Sequence, residues 1–462
     1  MEWRINMYEF KTFYELLKNN ALKYGDKTAI LYDTFEVSYK KLFADAVKKA
    51  LHLQRYKGKR IAIYGPASYR WIVNFFGIIL AGKDVVLIDF FIPRNTRDKM
   101  LDDTSVDYVL CSTNQYILSN VKAIMIDGAE KDDVSGLVYD ESTQEGNIII
   151  FTSTAKQCDK GVILTSCNIM AALDKLSKCG LCNENDKVLS QVALSQIFGL
   201  LYSFIWPISA GACLCVGRGL RHIDADTYYY NPTILPANPS MIEYLKKIKA
   251  FNQELKCIIV GGAPCPLKLC EDIKENGIEI YTIYGEAQST GCVAISNCKD
   301  DSYEVMGEDS VYIADNGEIM LKDGCVMAGF NNDDTQTSAF IEDGVLHTGD
   351  FGRFNDKGHL IIEKRNAGII TLPTGESICK KVVDNKLAAM NDVKDGCVCM
   401  YDNKLTAVMV KLNDNITPER IQKHIDKYNE ENGYRWEIQK VVTINHPINR
   451  LDDGQIDEKV FA

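Results

Sequence analysis

Along the chain, short apolar runs rich in β-branched residues alternate with longer stretches whose apolar positions recur every three or four residues. TAILY (28–32), RIAIYG (60–65), DVVLID (84–89), DYVLC (107–111), AIMID (123–127) and NIIIFTS (147–153) read as strands. YEFKTFYELLKNNALKY (8–24) and SYKKLFADAVKKALHLQ (38–54, with Ser38 as N-cap) read as helices. Strands that alternate with helices predict a parallel sheet covered on both faces.

The alternation continues through KVLSQVAL (187–194), ACLCV (212–216), TILPA (233–237), CIIVGG (257–262) and IYTIYG (280–285), with helical SCNIMAALDKLSK, SMIEYLKKI and PLKLCEDIKEN between them. After Asn297 the pattern changes to short strands with N-G and D-x-G turns, SVYIADNGEIMLKDG and GVLHTGDFGRFNDKGHLIIEKR, which predict hairpins. A third piece follows from about Asn366: strands GIITL, CVCMY and LTAVMVKL, then a helix opened by Thr417 and Pro418. The expected fold is α/β: a large body, 1–365, of α/β subdomains with parallel sheets and a β-rich subdomain at about 298–365, then a small α+β piece, 366–462.

The 462 residues are 46% hydrophobic and 25% charged, enough to bury large cores, and the net charge of −11 disfavours sequence-independent nucleic-acid binding. The longest apolar run, WIVNFFGIILAG (71–82), is too short to span a bilayer, and the N-terminus has no leader-like apolar core, so a cytoplasmic location is expected. Sixteen cysteines lie scattered in apolar segments and read as small buried hydrophobes. Cys179 and Cys182 form the one C-x-x-C, with no second pair to complete a metal site.

Three segments could carry chemistry. The polar loop TSTAKQCDKG (152–161) follows a strand and is read as preceding a helix, a setting that turns backbone N–H groups and a lysine toward phosphate. CIIVGGAP (257–264) and IYTIYGEAQ (280–288) end strands in glycine, which suits either a flat ligand or a tight turn.

The order of TSTAKQCDKGV, VGGAP, YGEAQ, GEIMLKDGCVMAGF, the HTGD of FIEDGVLHTGDFGRFNDKGHL, and EKR resembles the acyl- and aryl-adenylate-forming ligases. That superfamily includes AMP-forming acyl-CoA synthetases, peptide-synthetase adenylation domains and luciferases. The resemblance extends over the whole chain and is most specific from Gly317 to Leu360. It implies an ATP-dependent reaction in which a small carboxylic acid becomes an acyl-adenylate and then passes to the thiol of CoA or of a carrier protein's phosphopantetheine. It also implies that the small C-terminal piece is a mobile lid.

By the same resemblance, Asp350 binds the ribose hydroxyls, Arg365 the ribose or phosphate, and Tyr284 stacks on adenine beside Gly285. Gly262, Ala263 and Pro264 line the base pocket, and Thr152, Ser153, Thr154 and Lys160 face phosphate. The substrate wall is expected from Gln191 to Gly199 and Gly261 to Tyr284, with Phe198, Leu200 and Cys265 as apolar candidates.

Several positions depart from the family pattern. The phosphate loop has Thr154 and Gln157 for glycines, Ala155 and Lys156 for threonines, and Asp159 for proline, while Lys160 and Gly161 are kept. The magnesium-binding glutamate is Gln288, with Glu286 two residues earlier, and the catalytic lysine is Gln455, with Arg450 and Lys459 off-register. Ser166 and Gln196 replace two histidines often found near the substrate, and the hinge position is Gly368. Two readings therefore stand side by side: an AMP-forming acid–thiol ligase, or an impaired relative that binds nucleotide or acyl ligand or carries out only the thiol-transfer half.

Overall fold

The computed structural model describes residues 10–112, 121–125, 134, 136–152, 160–307, 310–365, 368–374, 377–432 and 437–448. The first helix, Phe13–Tyr24, is capped twice. Thr12 accepts from Glu15 N, and the Glu145 carboxylate accepts from the N–H groups of Phe13 and Tyr14 at 3.0 and 2.7 Å. The second, Tyr39–Gln54, begins at Ser38, whose hydroxyl accepts from Lys41 N as the sequence predicts.

The dodecapeptide apolar run forms the helix Tyr69–Leu80, buried at every position from Trp71 to Leu80. Trp71, Phe75 and Phe76 pack edge or face against Phe13 and Phe204, so the run serves as the centre of the core. Among the described residues no helix is long and apolar enough to cross a membrane.

Two sheets organise the large body. In the first, Lys122–Met125, Tyr108–Cys111, Arg60–Tyr64, Asp84–Ile88 and Ile148–Thr152 run parallel; Lys160–Leu164 and Gly329–Phe330 extend one edge antiparallel. The second holds a parallel run from Glu279–Tyr284 through Cys257–Val260, Ile234–Ala237, Lys187–Ser190 and Cys213–Val216 to Thr28–Tyr32, with Phe35–Ser38 as its antiparallel edge.

Two expectations are corrected here. The first strand, Thr28–Tyr32, belongs to the second sheet, between Cys213–Val216 and Phe35–Ser38, and not to the sheet of the strands RIAIYG and DVVLID that follow it. After the polar segment the chain returns as the strand Lys160–Leu164, with Thr152 opposite Lys160, and the helix starts only at Ser166. β-Branched Val162 and Ile163 drive that outcome by completing the sheet edge.

The strands beyond Asn297 form the predicted hairpins, Val311–Ile313 with Glu318–Leu321 and Val345–Phe354 with Leu360–Lys364. They do not form a separate sheet, because Ser302–Val305 bridges them by hydrogen bonds to Ala294–Ser296 and so to the parallel run. They do keep a core of their own around Val293, Ile319, Leu346 and Leu360. In the C-terminal part, Val393–Tyr401, Lys404–Lys411 and Lys440–Ile444 form a three-stranded sheet over a distinct core that includes Leu387, Met409, Ile421 and Ile425.

Candidate functional site

Asp350 lies in the middle of the strand Val345–Phe354, where alternation turns it inward; it is 8% exposed and is not a turn residue. Its Oδ2 accepts from the Tyr284 hydroxyl at 3.0 Å and from Arg365 Nη1 at 2.8 Å. Arg365 follows the returning strand Leu360–Lys364, and its guanidinium lies 4.6 Å from the centre of the Tyr284 ring. Two side chains from separate segments thus close on one carboxylate oxygen. Burial, then the Asp350 charge, holds the Tyr284 hydroxyl well above its usual pKa, so it stays a donor.

An acceptor-only carboxylate beside an aromatic ring fits a ribose that donates two hydroxyls. The Tyr284 ring is 2% exposed and its face is covered by Arg365, so a base reaches it only when that guanidinium swings aside.

The glycine question is decided by packing. A Cβ on Gly261 would fall 2.3 Å from the Phe198 ring, and one on Gly285 would fall 2.5 Å from the Gly291 backbone. Both allow chain-on-chain approach rather than ligand approach. Gly285→Ala is therefore expected to destabilise the fold by about 2 kcal/mol or more, read as a lower urea midpoint, because the backbone it meets cannot yield.

Glu286 begins the turn Ala287–Ser289 in a capping box with Ser289, and its Oε1 is buried with no hydrogen-bond partner. Burial first, and the neighbouring Asp350 charge second, push its carboxyl up to about 8 against the opposing pull of Arg365. Gln288 is fully buried, and its main-chain oxygen accepts from Met327 N at 2.8 Å. A proton-bearing acid and an enclosed amide are poor ligands for a hard cation. Among the described residues no cluster of three His, Cys, Asp or Glu could hold a metal ion.

A second feature is a cavity of about 1170 Å³ between the large body and the C-terminal part. Gln191 to Gln196 and Ala263 to Pro266 form its wall on one side, and Leu372, Pro373, Thr374 and Leu405 face them. Asn238 Nδ2 donates to Thr374 O at 2.7 Å and ties the two parts together. Of the apolar candidates, Cys265 lines this cavity, whereas Phe198 and Leu200 lie in the core. Gln196 also lines it, but Ser166 sits at a helix start where its hydroxyl donates to Glu145 at 2.5 Å.

One group escaped the sequence reading. Asp226, fully buried, accepts from Gln191 Nε2, Arg218 N and Arg218 Nε, each at 2.7 Å, and so fixes the Gly217–His222 stretch at the cavity rim. An acid inside the helical segment HIDADTYYY gives no local sign of that role. Thr152 and Lys160 face each other across the first-sheet hairpin as backbone partners. Ser153, Thr154 and Gln455, with Lys156, Arg450 and Lys459, lie outside the described residues.

The family model of the AMP-binding enzymes matches residues 17–329, well over half of the chain. The protein belongs to the AMP-binding enzyme family. This AMP-binding protein is 25% identical over 440 residues to 2-succinylbenzoate–CoA ligase of Bacillus cereus (strain AH820), a match covering 88% of this chain and 89% of the ligase. It is 24% identical over 458 residues to bacitracin synthase 2 of Bacillus licheniformis, covering 90% of this chain but only 17% of that protein.

Among solved structures, o-succinylbenzoate CoA synthetase from Bacillus subtilis, as a double mutant bound with its product analogue OSB-NCoA, superposes with a TM-score of 0.81 at 20% identity, covering 96% and 97% of the two chains. The same enzyme in complex with AMP gives 0.68 at 20% identity, covering 96% of each chain. The two-domain fold of adenylate-forming enzymes is thereby established, and the protein is acid–CoA ligase-like.

Proposed function

We propose that this protein is an AMP-forming acid–thiol ligase in which the thiol-transfer half-reaction outweighs adenylation. The observation that carries the reading is the cavity lined jointly by the Ala263–Pro266 loop and the Leu372–Thr374 segment, which the Asn238–Thr374 hydrogen bond links across the two parts. It is large enough for an acyl group together with a thiol arm. The higher similarity to the double mutant bound with a CoA product analogue than to the same enzyme with AMP supports a thiol-accepting arrangement, because the two nearly identical chains differ chiefly by how their parts sit.

In this reading residues 366–462 act as a lid turning near Gly368, and Asp350 with Arg365 anchors the ribose of a bound adenylate. The lid's cavity wall excludes water, so that a thiol rather than hydroxide attacks the acyl carbon. Adenylation is weak because the loop glycines, the acidic metal position and the lysine at 455 are all replaced, and a lost charge at a transition state lowers rate rather than binding.

The test compares two rates over a panel of aromatic and aliphatic acids. Thioester formation from a supplied acyl-adenylate with CoA or pantetheine is expected to exceed ATP–pyrophosphate exchange by about a hundredfold. Equal rates would remove the imbalance proposed here, and binding of AMP with neither reaction would leave a ligand-binding relative.

A further inference from the structure

Cys265 stands on the cavity wall, half-buried, directly after the Ala263–Pro264 pair. Its sulfur lies 3.5 Å from that of Cys270, which is fully buried on the helix Leu267–Lys274 and donates its S–H toward Cys265. Behind it Cys298 hydrogen-bonds to Cys270 and approaches Thr282 Oγ1 at 3.8 Å. The three thiols form a file running from the cavity into the sheet, with only the first open to a solute. The adenylation and thiol-transfer reading places Cys265 on the cavity wall but uses the thiol chemistry of none of the three.

We infer that Cys265 and Cys270 form a thiol–disulfide exchange site for small disulfides entering through the cavity. Cys265, as thiolate, attacks one sulfur of a disulfide RSSR; the S–S bond breaks, a Cys265–S–S–R mixed disulfide forms and RS⁻ leaves. Cys270 then gives up its proton to solvent and attacks the Cys265 sulfur, forming the Cys265–Cys270 disulfide and expelling the second RS⁻. Two protein thiols are oxidised and one RSSR is reduced to two thiols.

The geometry favours this order. The S–H of Cys270 points at Cys265, the sulfur that a solute can reach, so the buried thiol already stands against the exposed one. The same bond is the leading cause that raises the Cys270 thiol, to about 12, and it weakens once Cys265 is in a mixed disulfide. Closing the pair asks the sulfurs to approach from 3.5 Å to about 2 Å, a movement that the exposed loop Gly262–Pro266 can supply. Cys167, exposed on the helix Ser166–Cys179, provides an internal comparison as the more accessible thiol.

The experiment equilibrates the folded full chain with glutathione disulfide, alkylates the remaining thiols and digests with trypsin. Cleavage after Lys268 separates the two cysteines, so the disulfide is read as a crosslink between the peptides 257–268 and 269–274. We expect that crosslink to form before glutathione accumulates on Cys167. Cys270→Ala should trap glutathione on Cys265, and Cys265→Ser should abolish both products while leaving the circular dichroism spectrum unchanged. Modification of Cys167 with Cys265 and Cys270 still alkylated, or a crosslink that appears only when the protein unfolds, would overturn the inference.

Discussion

Replacing Arg365 with alanine is expected to cost about 3 kcal/mol of folding stability, whereas Asp350→Asn costs about 1 kcal/mol. The asymmetry follows from burial. Asp350 is 8% exposed, and without Arg365 its carboxylate loses the positive partner held at 2.8 Å in a low-dielectric site. The Arg365 side chain is 48% exposed, so when Asp350 is neutralised the guanidinium can turn to water. Urea unfolding of the two single variants and the double variant measures this. The double variant should resemble Asp350→Asn rather than the sum, since the penalty of Arg365→Ala vanishes once the acid is gone. Equal losses below about 0.5 kcal/mol in both single variants would mean that the pair behaves as an ordinary surface contact. In calorimetry, Asp350→Asn should also weaken AMP by about two orders of magnitude, the worth of two hydrogen bonds to a charged acceptor.

Stability should fall as pH rises from about 6 to about 8, and Glu286→Gln should flatten that slope. The Glu286 carboxyl is raised to about 8 in the folded chain, against 4.5 for an ordinary glutamate. Between those values the folded state holds a proton that the unfolded state has released, so each pH unit upward favours unfolding by about 1.4 kcal/mol. The contribution is complete below about 4.5 and lost once the pH passes about 8. Over the measured window the drop is about 2 to 3 kcal/mol. Glutamine keeps an acceptor for the Ser289 N–H of the turn but has nothing to ionise. A wild-type profile as flat as that of the variant would show that Glu286 is ionised at neutral pH. Asp350→Asn should shift the wild-type slope to lower pH, because the Asp350 charge is the second cause of the raised value.

Much of this was legible in the residues, though unevenly. Strands such as RIAIYG and DVVLID declare themselves by composition, and Ser38 and Thr417 mark helix starts, because propensity and capping act within a few residues. The HTGD motif pointed to Asp350, and EKR to Arg365. GVILT after the polar loop was read as the approach to a helix, although its β-branched residues were the sign that a strand follows. Ser166 and Gln196 looked equivalent as substitutions. Only the first is held by Glu145, a partner twenty-one positions upstream.

From sequence alone came the α/β alternation, the resemblance to the adenylate-forming ligases and, through its HTGD motif, Asp350 as a candidate, since periodicity and motif spacing are local properties of the chain. Only the tertiary structure put Thr28–Tyr32 in the second sheet, laid Arg365 over Tyr284, buried the Glu286 carboxyl so that its pKa rises and brought Cys270 against Cys265. Each of these depends on atoms that distant segments bring together. Strand order is set by long-range pairing, and the charge a buried group carries is set by how much water and which neighbours the fold leaves around it.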